Sequence, residues 1–114
     1  MYYPVSALLI EYLILAIVSK HDSYGYDISQ TIKLIASIKE STLYPILKKL
    51  EKAGYLSTYT QEHQGRRRKY YHLTDSGEKH LVYLTKEWSV YKMTIDGIVE
   101  GRIRHGQELN TSIS

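Results

Sequence analysis

The stretch ESTLYPILKKLEKAG, from Glu40 to Gly54, restricts the fold of this chain more than any other part of its sequence. Its apolar residues recur at helical spacing, which predicts a helix with one side in a core: Leu43, Ile46, Leu47 and Leu50. The opposite side carries hydroxyl, proline and lysine side chains, at Ser41, Pro45, Lys48 and Lys52. The prediction is a short helix that is apolar on one side and basic on the other.

The ends of this helix can also be predicted. Ser41 and Thr42 are expected to cap its start, because a hydroxyl can accept a hydrogen bond from a free N–H of the first turn. Pro45 has no N–H and is expected in the opening turn. Gly54 is expected to end the helix, since glycine tolerates the left-handed conformation that follows many helices.

Two further helices are predicted before it. The run from Val5 to Val18 is almost entirely apolar and indicates a buried helix; Glu11 interrupts it, and it is shorter than the ~20 residues that span a bilayer. Tyr24 to Ile35 forms the second helix, with Asp22 or Ser23 as its cap. A helix, a polar turn and a basic helix make the helix-turn-helix arrangement.

The chain has no cysteine, which is typical of a reducing cytoplasm.

After Gly54 the pattern changes to that of strands. Tyr55 to Thr60 and Arg67 to Leu73 are rich in Tyr, Thr and Leu, and the polar segment Gln61 to Arg66 lies between them. This predicts a β-hairpin with a basic tip. A basic hairpin directly after a basic helix is typical of a winged helix-turn-helix domain.

The last predicted helix extends from about Asp75 to Arg104, with Thr74, Asp75 or Ser76 as its cap. Its apolar residues step three and four at a time, as in a coiled coil: Leu81, Leu84, Trp88, Tyr91, Ile95 and Ile98. We expect this seam to form a homodimer interface. The prediction is an α+β, mainly α, fold: a winged helix-turn-helix domain at 1–73, a dimerisation helix at 74–105 and a disordered tail at 106–114.

Positive charge is concentrated in the middle of the chain. Between Lys39 and His72, eight basic residues face three acidic ones, an excess of five charges in a chain whose net charge is +3. Such a local excess indicates a polyanion-binding surface, and double-stranded DNA is the expected partner. The predicted contacts in the helix are Ser41, Thr42, Tyr44, Pro45, Lys48 and Lys49, and those in the hairpin are Gln64, Gly65, Arg66, Arg67, Arg68 and Lys69.

Three motifs resemble the PadR family of bacterial transcription regulators. They are YGYDI at 24–28, STLYPILKKLE at 41–51 and GRRRKYYHLT at 65–74. The resemblance covers nearly the whole chain and is closest to the compact branch with a single C-terminal helix. It implies a homodimeric winged-helix protein, usually a repressor that binds an inverted-repeat operator.

The resemblance also leaves two interpretations of Trp88 open. The residue can pack in the dimer seam, or it can stack planar aromatic effectors, as a tryptophan does in a multidrug-sensing branch of the family. Leu8, Tyr12 and Lys92 would then line the effector site, and the lysine would favour acidic or phenolic molecules. In this second interpretation the chain could be a small-molecule binding module whose DNA contact is secondary.

Other classes of function receive little support from the sequence. No nucleophile, base and orienting acid can be assembled from local spacing, so we expect no enzyme. The five histidines show no helical metal-ligand pairing, so neither a metal nor a cofactor is expected. An interaction protein remains an alternative, in which the long helix would recruit a different coiled-coil chain. The expected location is the cytoplasm, with no membrane association.

Overall fold

Three helices and a small sheet precede one long helix in the computed structural model, which describes residues 6–106. The elements are α1 (Ala7–Lys20), β1 (Ser23–Tyr24), α2 (Gly25–Ile32), α3 (Glu40–Lys52), β2 (Leu56–His63), β3 (Arg66–Leu73) and α4 (Asp75–Val99). The three strands are antiparallel, in the order β1-β3-β2. The predicted fold class is confirmed: the chain is mainly helical, with a helix-turn-helix, a hairpin that we call the wing (β2 and β3), and a long C-terminal helix.

The first three helices and the sheet share one apolar core. Its fully buried side chains include Ile14 and Leu15 of α1, Ile28 of α2, and Leu43 and Leu47 of α3. The predicted apolar side of α3 therefore faces the core. Removing this surface from water provides the main force that holds the helices together.

The first helix begins slightly later than predicted. Ser6 caps it by accepting a hydrogen bond from Leu9 N at 3.2 Å. Val5, the first residue of the predicted run, lies outside the described residues. Although α1 is apolar all round, only one side is buried in the chain: Leu8 is 58% exposed, and Tyr12 and Ile17 are half-buried.

The second helix is shorter than predicted at both ends. Ser23 and Tyr24 pair with Tyr71 and Tyr70 of β3 as a third strand, so α2 begins at Gly25. Neither Asp22 nor Ser23 caps it, because Tyr24 occupies the cap position. The Tyr24 side chain makes no hydrogen bond to the helix. After Ile32 the chain tightens into turns with three-residue spacing, through the hydrogen bonds Leu34 N to Thr31 O and Ile35 N to Ile32 O.

The start of α3 also differs from the prediction. The helix begins at Glu40 with Lys39 as its cap residue, so Ser41 and Thr42 lie inside the first turn. Pro45 consequently lies beyond the opening turn, where its ring leaves the Ser41 carbonyl without the usual helix donor. This position is exposed, and water can satisfy the free carbonyl.

The end of α3 follows the prediction. Gly54 has φ +85°, and the hydrogen bonds Tyr55 N to Leu50 O and Gly54 N to Glu51 O close a Schellman motif. Thr74 then fastens the start of α4 to this corner: its hydroxyl donates to Gly54 O at 2.6 Å, and its backbone N–H donates to Tyr55 O at 3.1 Å.

The first turn of α4 is packed tightly against the same corner. Gly77 N donates to the Thr74 hydroxyl at 3.0 Å, so Thr74 acts as the predicted cap. The rings of Tyr55 and His80 stack with their centroids 4.2 Å apart. A Cβ atom built on Gly77 would overlap the carbonyl oxygen of Tyr55, so residue 77 must be glycine in this arrangement.

The chain divides into two compact units with the boundary between Val82 and Tyr83, inside α4. In the second unit the helix ends at Val99, earlier than predicted, because Arg102 N and Ile103 N both return to the Gly97 carbonyl. The predicted division at residues 73 and 74 stays a prediction. Of the tail predicted at 106–114, all but Gly106 lies outside the described residues. No helix within residues 6–106 is both long and apolar enough to cross a membrane.

Candidate nucleic-acid interface

The exposed side of α3 presents a ridge of polar and basic residues. All four residues predicted for this side are exposed, namely Ser41, Pro45, Lys48 and Lys52. Because Leu43, Leu47 and Leu50 fix the opposite side in the core, the helix cannot rotate these residues out of solvent.

Tyr44 lies on one flank of this ridge and packs against the start of α2. A Cβ atom built on Gly25 would lie 2.7 Å from Tyr44 Cε1 and 3.0 Å from its hydroxyl oxygen. Gly25 therefore makes room for the tyrosine ring, which stays 43% exposed. This contact explains why the YGYDI motif has glycine at position 25. The sequence alone does not indicate that Tyr44 is the neighbour of this glycine.

The wing is a tight hairpin that is longer than predicted. Gln64 and Gly65 form a two-residue turn with φ +51° and +79°, and the register pairs His63 with Arg66 directly before it. Two successive positive φ values define the type I′ turn, which matches the twist of paired strands. The predicted turn at Gln61–Arg66 was too wide, because Gln61, Glu62 and His63 continue β2.

The four cations of the wing alternate between its two faces, as strand residues must. Arg68 points to the same face as Tyr24, with its guanidinium carbon 4.4 Å from the centroid of that ring. Lys69 points to the other face, where its ammonium lies 3.4 Å from Glu51 Oε1. Arg66 and Arg67 are exposed near the tip. Arg68 is half-buried, and its Nε has no hydrogen-bond partner among residues 6–106.

A groove with a volume of about 540 Å³ separates α3 from β3. It is lined by Tyr44, Lys48, Glu51, Lys52, Lys69 and Tyr71. Three of these side chains are cationic and one is anionic, so the groove carries an excess of positive charge. Burial raises the pKa of the Tyr71 phenol above its ordinary value. Lys52, Glu51 and Tyr71 were not among the predicted site residues, although Lys52 follows Lys48 by one helical turn.

Charged contacts hold α3 on both flanks. Lys49 Nζ lies 2.7 Å from Oε2 of Glu11 in α1. On the opposite flank, Glu51 accepts hydrogen bonds from Thr58 of β2 at 3.3 Å and from Lys69 of β3 at 3.4 Å. The helix is thus tied to α1 on one side and to the wing on the other.

The outer face of the sheet carries an acid–aromatic cluster. Asp22 accepts hydrogen bonds from the Tyr59 hydroxyl at 2.7 Å and, at its other oxygen, lies 3.0 Å from His72 Nδ1. The Tyr59 hydrogen bond outweighs the effect of partial burial and, together with His72, holds the pKa of Asp22 below its ordinary value. The same hydrogen bond raises the pKa of Tyr59. Asp22 therefore joins the loop before β1 to both strands of the wing.

This cluster predicts a pH-dependent contribution to stability. A carboxyl whose pKa is lower in the folded chain stabilises the fold above its unfolded pKa of about 3.9, and this contribution is lost as the pH falls through the folded pKa. Asp22→Asn is therefore expected to unfold at a lower urea concentration than wild type at neutral pH, with the gap closing in acid. Asp96→Asn, which removes an exposed carboxylate from α4, is the control. A gap for Asp22→Asn that stays constant down to strongly acidic pH would contradict this assignment.

The predicted effector and dimer residues can be described only within each unit. Leu8 is exposed and Tyr12 half-buried in α1. In the second unit the rings of Trp88 and Tyr91 lie 5.5 Å apart, and Lys92 is exposed. Of the predicted seam, Leu84 is buried, Leu81 and Trp88 are half-buried, and Tyr91, Ile95 and Ile98 are 41–58% exposed. Both sets of residues stay predictions. Across residues 6–106 the structure contains no group of three His, Cys, Asp or Glu side chains placed to hold a metal ion.

The chain is similar in sequence to a described family and to two known proteins. Residues 14–82 match the sequence profile of the family described as "Transcriptional regulator PadR-like family". A Lysinibacillus sphaericus protein described only as "Uncharacterized protein X" is 39% identical over 94 residues, which cover 78% of this chain and 86% of that protein. "Negative transcriptional regulator PadR" of Bacillus subtilis is 38% identical over 79 residues, which cover 64% of this chain and 43% of the regulator.

Solved structures show the same similarity. A PadR family transcription regulator from Clostridium difficile R20291 superposes with a TM-score of 0.74 at 33% identity, over 79% of this chain and 97% of that one. The structure of Bacillus subtilis PadR in complex with operator DNA gives a TM-score of 0.61 at 34% identity, over 68% of this chain and 46% of that one.

Proposed function

The chain belongs to the PadR-like family of transcriptional regulators, and from this premise we propose that it is a homodimeric repressor that binds a pseudo-palindromic DNA operator. The observation that carries the proposal is the exposed ridge of α3 beside a positively charged groove, with Arg66 and Arg67 at the wing tip. A relative of the chain, Bacillus subtilis PadR, has a structure in complex with operator DNA. A site that binds DNA suits the cytoplasm, which we propose as the location.

The elements divide the work of recognition. The ridge of α3 enters the major groove, where Ser41, Thr42 and Lys48 reach base edges or phosphates. The groove between α3 and β3 holds the phosphate backbone between Lys48, Lys52 and Lys69, with the Tyr44 hydroxyl as a further donor. Arg66 and Arg67 of the wing reach the adjacent phosphates or minor groove, because the guanidinium plane suits both. Gln64, Gly65 and Arg68 lie next to them in the wing.

Two copies are needed to read an inverted repeat. The exposed apolar side chains of α4, at Tyr91, Ile95 and Ile98, support a seam between two copies of the helix. Each copy would place α3 in one half-site, and the centres of the half-sites would lie about 34 Å apart, one turn of DNA. An effector would release the operator only if it bound one spacing of the two α3 helices better than the other.

The direct test is binding to promoter DNA. Fragments flanking the gene for this chain are incubated with purified protein and footprinted with excess random-sequence competitor. We expect protection of an inverted repeat and a two-to-one protein-to-operator ratio, measured by native mass spectrometry. A chain that remains a single subunit and protects no sequence over competitor would contradict the proposal.

Gly25→Ala tests the proposed role of Tyr44. The added methyl displaces the tyrosine ring, which can move because it is half-exposed, so the fold should persist while operator affinity falls roughly tenfold. Affinity and unfolding are measured for Gly25→Ala in the wild-type and Tyr44→Ala backgrounds. Without the tyrosine ring, Gly25→Ala should have little further effect on affinity; an equal decrease in both backgrounds would exclude Tyr44 as the intermediary.

The second candidate function is a small-molecule binding module at the dimer interface, with DNA binding secondary. The close Trp88–Tyr91 ring pair favours this candidate, because it offers a stacking surface. Leu8, Tyr12 and Lys92 would complete the site, and the lysine would favour acidic or phenolic molecules. Strong quenching of Trp88 fluorescence by planar phenols, combined with DNA binding that shows no sequence preference, would support it over the repressor.

A further inference from the structure

A buried carboxylate in α1 links that helix to the flank of α3. Glu11 interrupts the apolar sequence of α1 and is only 7% exposed. Its Oε2 atom lies 2.7 Å from Lys49 Nζ, and within the described residues Lys49 is its hydrogen-bonding partner. The Lys49 side chain is itself 68% exposed, so the contact is made at the edge of the core.

The burial of Glu11 limits what Lys49 can do. A carboxylate that is removed from water without a partner is strongly destabilising, much more so than the loss of an exposed ion pair. If Lys49 swung out to a DNA phosphate, it would leave Glu11 buried and unpaired. The ion pair therefore opposes the phosphate contact that the sequence suggests for Lys49.

The position of Lys49 on α3 agrees with this limit. Adjacent residues of a helix are about 100° apart around its axis, so Lys49 is turned away from Lys48 towards α1. Glu51 occupies the opposite flank and holds Thr58 and Lys69 of the wing. Each flank of the ridge is therefore held to a neighbouring element by an ion pair.

We propose that Lys49 is a positioning residue for DNA recognition: paired with the buried Glu11, it fixes the rotation of α3 and does not itself bind phosphate. The inference rests on the proposed function, because it assigns a role within the same interface. It separates Lys48, which acts on DNA directly, from Lys49, which acts through α1. Operator affinity then depends on Glu11, although this residue lies inside the domain.

The test measures operator affinity of the full chain as a function of salt for three variants. Lys49→Met and Glu11→Gln are each expected to lower affinity roughly tenfold with no change in the slope of log affinity against log salt. Lys48→Ala is expected to lower affinity and to flatten the slope by about 0.9 for each phosphate that is no longer neutralised. Circular dichroism of each variant verifies that it remains folded.

Replacing both partners keeps the test decisive if a single variant fails to fold, and this risk is greater for Lys49→Met because it leaves Glu11 buried and unpaired. Glu11→Leu with Lys49→Met removes one charge of each sign, leaves the net charge unchanged and fills the space between the two helices with apolar atoms. This pair is expected to fold and to regain most of the wild-type affinity, because Glu11→Leu removes the buried carboxylate that would otherwise lack a partner.

The failures of the two proposals are distinguishable. A flattened salt slope in Lys49→Met, or a double variant that stays as weak as Lys49→Met, would make Lys49 a phosphate contact and overturn this inference while leaving the repressor intact. Wild-type protein without preference for any duplex over competitor would instead overturn the proposed function, and this role of Lys49 with it.

Discussion

Replacement of Arg66, Arg67 and Arg68 with alanine is expected to lower operator affinity by roughly a hundredfold at moderate salt and to flatten its salt dependence. Each neutralised phosphate releases condensed counterions and adds about 0.9 to the slope of log affinity against log salt. The proposed dimer carries two wings, so each substitution would act twice on one operator. Titrations of a labelled operator at several salt concentrations give both quantities.

The three arginines of the wing differ in exposure, so their contributions to the salt slope can be compared. Arg66 and Arg67 are exposed near the tip, whereas Arg68 is half-buried against the Tyr24 ring. We therefore expect Arg66→Ala with Arg67→Ala to produce most of the change in slope. Alanine at three exposed lysines elsewhere in the chain removes the same total charge and serves as the control: Lys20, Lys79 and Lys86. If the variant with alanine at all three arginine positions kept the wild-type salt slope, a contact between the wing and the phosphate backbone would be ruled out.

Gly77→Ala is expected to cause the largest loss of stability. The new methyl would overlap the Tyr55 carbonyl and would also lie 2.7 Å from Leu73 Cδ1. Backbone atoms cannot give way as a flexible side chain can, so the cost should reach about 3 kcal/mol despite the better helix propensity of alanine. Urea unfolding followed by far-ultraviolet circular dichroism measures the change.

The matched control for Gly77→Ala is one residue away. Ser76→Ala introduces the same side chain into the same turn of α4, but at an exposed position. It should leave the free energy of unfolding within a few tenths of a kcal/mol of wild type, the usual range for surface substitutions. Equal effects of the two substitutions would show that helix propensity, rather than the contact with Tyr55, determines stability here.

Periodic features of this fold were predictable from the sequence. The three-to-four spacing of Leu43, Leu47 and Leu50 defined the buried side of α3 correctly, because a helix turns at a fixed angle per residue. Gly54 marked its end, since few other residues accept φ +85°. The hairpin was also predicted, although its turn was placed too widely because polar residues such as Gln61 and Glu62 occur in both turns and exposed strands.

The features that were missed depend on residues far apart in the chain. Glu11 and Lys49 are separated by 38 positions, and Asp22 and His72 by 50, so no local pattern joins them. The two-residue strand β1 exists only because β3 offers it an edge; its own sequence predicts a helix cap at Ser23 and the start of a helix at Tyr24. In the same way, Gly25 and Gly77 are required by the neighbours they touch, which only the folded chain brings together.

The tight turn at Gln64 and Gly65 has a consequence for how this wing can vary among related proteins. Because side chains alternate along each strand and Tyr70 and Tyr71 anchor β3 in the sheet, inserting a single residue between Lys69 and Tyr70 would exchange the faces of Arg66, Arg67, Arg68 and Lys69. One residue can instead be added to each strand. This would lengthen the wing and leave these four side chains on their present faces only if the new pair lay between Arg66 and the tip. Insertions and deletions in homologous hairpins should therefore occur in even numbers, and odd-numbered ones should be accompanied by a bulge that restores the alternation.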